Sequence, residues 1–153
     1  MPGSFSQIYI QYVFAVKGRE NLILPSFEEE LYKYISGIIT NKEQKSLAVN
    51  GMPDHIHILV GLKPSMRIAD LVRDIKNNST NFINERNFLP KRFSWQEGYG
   101  AFSYSESGYG NVINYIRDQK IHHSKKTFRD EYKDFLNSFN VNFEEKYLFE
   151  FYD

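Results

Sequence analysis

The chain has 153 residues, with 19 basic and 19 acidic side chains and no cysteine. The missing cysteine excludes a disulfide framework, zinc–thiolate sites and cysteine nucleophiles, and leaves imidazole, carboxylate, amide and hydroxyl groups for any chemistry. Hydrophobic residues at 41% and aromatics at 16% exclude low-hydrophobicity disorder.

No basic leader precedes a long apolar core, and no run approaches the ~18 apolar residues of a membrane span, so the expectation is a cytoplasmic protein with no membrane partner. Zero net charge hides a split. Residues 61–129 hold 12 basic and 6 acidic side chains, whereas residues 130–153 hold 2 basic and 7 acidic. The middle of the chain is therefore the part suited to phosphates.

No repeat or low-complexity linker divides the sequence, so residues 1–153 read as one domain, with 140–153 as an acidic, aromatic tail. Gln7 to Val16, rich in β-branched and aromatic residues, predicts a strand ended by Lys17-Gly18-Arg19. Ser26 with Glu29 predicts a capped helix carrying Leu31, Tyr34, Ile35, Ile38 and Ile39 on one face. Ser46–Met52 and His55–Leu62 read as two strands of a hairpin turned at Pro53-Asp54. Ser65 opens a second helix with Ile68, Leu71, Val72, Ile75, Phe82 and Ile83 at helical spacing.

Arg92 to Ser105 predicts a loop and a fourth strand ending near Ser105. A third helix is expected from about Val112 to His123, and a fourth, capped by Thr127 with Asp130, carries Phe128, Tyr132, Phe135 and Leu136. This order predicts an α+β fold: a ferredoxin-like split βαβ antiparallel sheet with helices on one face and extra C-terminal helices.

In His55-Ile56-His57 the pleat sends both imidazoles to one face of a strand. That suits a divalent ion with positions left for other ligands, although such a motif by itself more often marks a half-buried strand with two hydrogen-bonded histidines. On the third helix, the i, i+4 pair Tyr115 and Gln119 reaches one side of the cylinder. A phenol can act as nucleophile on a phosphodiester polarised by a metal, or can simply pack in the core. Arg67, Arg73, Lys76, Lys91, Arg92, Lys120, Lys125 and Lys126 are candidate DNA contacts or solvated charges. Trp95, Tyr99, Phe102 and Tyr104 offer rings for unpaired bases or for the core.

Gly51-Met52-Pro53-Asp54-His55-Ile56-His57, Trp95-Gln96-Glu97-Gly98-Tyr99-Gly100-Ala101-Phe102 and Tyr115-Ile116-Arg117-Asp118-Gln119 resemble the single-tyrosine HUH transposases of small insertion sequences. That family includes the REP-associated tyrosine transposases, and the likeness runs over nearly the whole chain. It implies that His55, His57 and Gln119 coordinate Mg²⁺ or Mn²⁺ and that Tyr115 attacks single-stranded DNA at hairpin-bearing ends, leaving a 5′-phosphotyrosine and a free 3′-hydroxyl. It also implies a homodimer in which the tyrosine helix can be exchanged between protomers, with Gly98, Gly100, Gly108 and Gly110 as a mobile connection. A hydrolytic metal-dependent nuclease and a non-catalytic binder of structured single strands are the alternatives.

Overall fold

The computed structural model describes residues 4–122 and 126–139. Lys125, His123 and the tail 140–153 lie outside them. Four antiparallel strands, β1 (Ile8–Ala15), β2 (Lys45–Met52), β3 (His55–Leu62) and β4 (Gly100–Tyr104), form one sheet in the order β2-β3-β1-β4. That is the split βαβ arrangement, with β3 inserted between β1 and β2. The helices are α1 (Glu28–Asn41), α2 (Ile68–Glu85), α3 (Glu106–Arg117), the short α4 (Gln119–His122) and α5 (Phe128–Ser138). No helix among the described residues is long and apolar enough to cross a membrane.

Both central strands are buried on both faces, and their alternation decides what meets what. Ile10, Tyr12 and Phe14 of β1 share a face with Ile56, Ile58 and Val60 of β3, and pack with Leu31, Ile35 and Ile39 of α1 and Leu71 and Ile75 of α2. The Tyr12 hydroxyl donates to the Ile68 carbonyl at 2.8 Å, tying β1 to the start of α2. On the opposite face stand Gln11, Val13 and Ala15 of β1 and His55, His57 and Leu59 of β3. Val112 and Ile116 of α3 pack on Leu59, and α5 covers the two histidines.

Helices therefore cover both faces, two on one side and the C-terminal set on the other. α5 has 11 residues, too few to hold a helix alone in water, so its formation depends on docking. Phe128, Tyr132 and Leu136 are nearly fully buried, each contributing roughly 1.5–3 kcal/mol.

Several local expectations differ from the observed elements. α1 starts at Glu28 and α2 at Ile68, neither with a side-chain cap, because Ser26 and Ser65 sit in the preceding turns. Thr127 does cap α5, accepting from the Asp130 amide at 3.2 Å. The expected mobile connection is also corrected: Gly108 and Gly110 lie inside α3, which begins directly after β4, and Gly100 is locked in β4 against Phe102 and Tyr132.

Candidate metal and tyrosine site

The His55 face of β3 is presented by a tight hairpin in which Gly51 lets β2 approach closely. A Cβ on Gly51 would fall 2.3 Å from the His55 carbonyl oxygen, so no other residue fits there. The imidazoles are fully buried, with ring centroids 5.3 Å apart. His55 Nδ1 lies 2.7 Å from Asp54 Oδ1, and His57 Nδ1 lies 2.8 Å from Gln11 Oε1. Both Nε2 atoms turn towards one carboxylate, Glu131 of α5, whose Oε1 is 3.1 Å from His57 and 3.6 Å from His55.

The other carboxylate oxygen meets the tyrosine helix. Tyr115 donates its hydroxyl hydrogen to Glu131 Oε2, and Gln119 Nε2 approaches the same oxygen at 3.3 Å. One chain thus brings His55, His57, Tyr115 and Gln119 together, although α3 ends at Arg117 and Gln119 begins the separate α4. Asn50 holds that break against the sheet by donating to the Ile116 and Arg117 carbonyls at 3.0 and 3.1 Å.

The electrostatics follow from burial and this shared anion. Burial raises the Tyr115 hydroxyl above its ordinary value, and the Glu131 charge raises it further. Burial opposes charging of His55, yet hydrogen bonds and charge from Asp54 and Glu131 outweigh it and raise the ring above the ordinary histidine value. Asp54 is also desolvated, but His55 and Arg19 overcome that and hold its carboxyl below the usual range. Arg19 Nε donates to Asp54 Oδ2 at 2.8 Å from a left-handed turn, with φ of 67° at Gly18 and 53° at Arg19.

The residues fit a divalent cation. Each ring spends Nδ1 on an oxygen and faces another oxygen with Nε2, and a neutral imidazole cannot donate at both nitrogens. A positive species between Nε2 and the carboxylate, a proton on the ring or a metal ion, satisfies them. His55, His57 and Glu131 bring their ligand atoms within 4.8 Å of one another. Gln119 Oε1 is buried without a hydrogen bond, a further oxygen for such an ion.

α5 seals this cluster. Phe128 stacks on His55 with centroids 3.8 Å apart and planes 4° apart, and the Arg19 guanidinium sits over the Phe128 ring at 5.2 Å. Phe135 packs near His57 and Tyr115. Beside the seal, a cavity of about 540 Å³ is lined by Gln11, Tyr104, Asn111, Tyr115, Glu131 and Phe135, giving a way in on the tyrosine side.

The basic candidates are spread out, and most are engaged. Lys76 Nζ donates to the Gln96 and Gly98 carbonyls at 2.9 and 2.6 Å over the Phe14 ring; burial lowers it to about 8. Arg73 pairs with Asp70 and Asp74, Lys91 with Glu20, Lys126 with Asp134, and Lys120 with Glu28 and the Gly51 carbonyl. Arg67 is exposed, and exposed Arg92 shares a groove with Lys17 and Lys91. Trp95 and Phe102 belong to the core, whereas Tyr99 is partly exposed.

Sequence reasoning missed Glu131, Gln11 and the Arg19–Asp54 pair as parts of the site. Glu131 did leave a signal, a carboxylate inside the apolar stripe formed by Phe128, Tyr132, Phe135 and Leu136.

Residues 4–119 match the family model for IS200-like transposases. The ISDra2 transposase TnpA of Deinococcus radiodurans is 23% identical over 122 residues, covering 76% of this chain and 87% of that protein. The fold resembles the crystal structure of a protein from Deinococcus radiodurans R1 assigned as a transposase: TM-score 0.62, 22% identity, 78% of this chain and 95% of that one. It also resembles a REP-associated tyrosine transposase bound to a REP hairpin: TM-score 0.60, 17% identity, 80% and 73% covered. The family match stops at Gln119, so α5 and Glu131 lie beyond it.

Proposed function

Since the chain belongs to the IS200-like transposase family, we propose that it nicks and rejoins single-stranded DNA at hairpin-bearing insertion-sequence ends through a covalent link to Tyr115. The observation carrying this reading is that the Tyr115 hydroxyl and both imidazole Nε2 atoms converge on the single carboxylate of Glu131. The relative bound to a REP hairpin supports folded single strands as the substrate class.

His55, His57, Glu131 and Gln119 would hold Mg²⁺ or Mn²⁺, which when bound would supply Lewis acidity to polarise a scissile phosphate. The charge balance favours this. The Arg19–Asp54 pair is neutral, and Glu131 alone contributes −1 beside neutral imidazoles. A divalent ion brings the site to +1, which one phosphodiester neutralises.

In the chemical step Tyr115 Oη forms a bond to phosphorus, the bond from phosphorus to the 3′ oxygen breaks, and that oxygen leaves as a hydroxyl. Glu131 Oε2, which accepts the Tyr115 hydrogen bond, takes the phenol proton and returns it to the leaving oxygen. The product is a 5′-phosphotyrosine that retains the ester energy for rejoining. DNA approaches by the cavity beside Tyr115, which Glu131 and Phe135 of α5 line, so α5 stays in place as one wall of the site. A homodimer whose tyrosine helix can be exchanged belongs to the same reading, with Tyr115 here docked on the histidines of its own chain.

The test is a labelled single-stranded oligonucleotide carrying an element end. Wild-type protein with Mn²⁺ becomes covalently attached to it, and Tyr115→Phe does not. Cleavage without attachment points to the hydrolytic nuclease instead, and attachment persisting in Tyr115→Phe removes the tyrosine from the mechanism.

A further inference from the structure

We infer that Gln11 and Asp54 are positioning residues that fix which nitrogen of each imidazole faces the shared site. The inference rests on the metal reading above and adds two residues to it.

Gln11 sits in the middle of the apolar strand Ile8–Ala15 and is fully buried. An aliphatic side chain would fill that volume without burying an amide, and a buried amide is tolerated only when both of its ends are satisfied. Both ends are. Gln11 Nε2 donates to the Tyr104 hydroxyl at 2.8 Å, which leaves Oε1 as the atom 2.8 Å from His57 Nδ1. An amide oxygen only accepts, so His57 Nδ1 carries a hydrogen, and in the neutral ring that a metal ion requires Nε2 keeps its lone pair on the Glu131 side.

His55 receives the same treatment by a different device. Asp54 Oδ1 is 2.7 Å from His55 Nδ1, while Arg19 anchors Oδ2. The carboxylate accepts at Nδ1 and points Nε2 the same way. Each ring therefore rests on a residue that is itself held by a second group, Tyr104 for one and Arg19 for the other. Ligating imidazoles generally depend on such partners for ring orientation and tautomer, and losing one weakens metal binding 10- to 100-fold. The two devices add no net charge, so Glu131 alone sets the charge that meets the ion.

The test measures Mn²⁺ affinity by calorimetry and reads ring ¹⁵N signals of the Mg²⁺-loaded full chain by NMR. In the wild type both rings show a protonated Nδ1. Gln11→Met, nearly isosteric, loses the fixed His57 Nδ1–H signal and binds Mn²⁺ about 10- to 100-fold more weakly. Gln11→Glu restores an acceptor and with it the signal and at least wild-type affinity. Asp54→Ala produces the corresponding loss at His55.

Tyr104→Phe, which preserves core volume, frees the Gln11 amide to rotate and lowers affinity severalfold. Unchanged affinity there overturns the inference even if Gln11→Met fails to fold, and so does a Gln11→Glu protein as weak as Gln11→Met. His57→Ala separates the two levels. If it binds Mn²⁺ like the wild type, the metal reading itself has failed; if it loses the ion while Gln11→Met keeps it, only the positioning role fails.

Discussion

Glu131→Gln removes one charge from the centre of the site and changes almost nothing in volume. Glu131 Oε1 lies 3.1 and 3.6 Å from the two Nε2 atoms, so a cation held by the rings sits within about that distance of the carboxylate. Two unit charges ~3 Å apart at an effective dielectric constant of ~20 interact by about 5 kcal/mol, and a divalent ion doubles the attraction. Glu131 is 3% exposed, so folding has already borne its dehydration and ion binding does not bear it again.

The glutamine keeps one carbonyl oxygen as a weaker ligand and recovers part of the loss. A net weakening of at least ~3 kcal/mol is expected, which is over 100-fold in the Mn²⁺ dissociation constant. Calorimetric titration of Mn²⁺ into wild-type and Glu131→Gln protein measures it directly, with thermal unfolding in EDTA to verify the fold. An affinity within threefold of wild type would refute the assignment of Glu131 as a ligand. It would leave α5 as a cover that only happens to place a carboxylate over the rings.

Three further expectations concern stability, docking and assembly. His55 is raised above its unfolded value, so its contribution to stability is full below about pH 6.5 and is lost as pH rises through the folded value. In EDTA the melting temperature should fall between pH 6 and pH 8.5, and Mn²⁺ should raise it more at pH 8.5, where protons compete less; a larger Mn²⁺ effect at pH 6 contradicts this. Gly100→Ala places a Cβ 2.8 Å from both the Phe102 ring and the Tyr132 hydroxyl, so α5 should loosen at a cost of about 1–3 kcal/mol. Hydrogen exchange over residues 128–138 reads that, and unchanged protection there counts against it. Finally, Tyr115 meets the histidines of its own chain. Mixing Tyr115→Phe with His57→Ala protein should then restore no attachment to DNA, whereas recovered attachment means that the helix works in trans.

Periodicity alone located much of this molecule. Alternation in the chain put His55 and His57 on one face of a strand bounded as expected at His55 and Leu62, whereas Tyr115 and Gln119, expected on one helix, fall on α3 and α4 and meet at Glu131. Thr127 with Asp130 marked the start of α5 correctly, because a capping side chain bonds to a backbone amide three residues away and needs no tertiary partner. The same local logic misplaced the start of the tyrosine helix, expected near Val112 but found at Glu106, where Val112 and Ile116 pack on Leu59 and carry the preceding turns into α3.

Tertiary structure alone decided what the histidines face. Gln11 is 46 residues from His57 and Glu131 is 74, separations at which no local pattern constrains contact. Their meeting depends on β3 pairing beside β1 and on α5 docking across the face opposite α1 and α2. Sequence period sets which side of an element a residue occupies, whereas sheet order and helix docking set which sides are brought together, and the convergence of His55, His57 and Glu131 resides in that second choice.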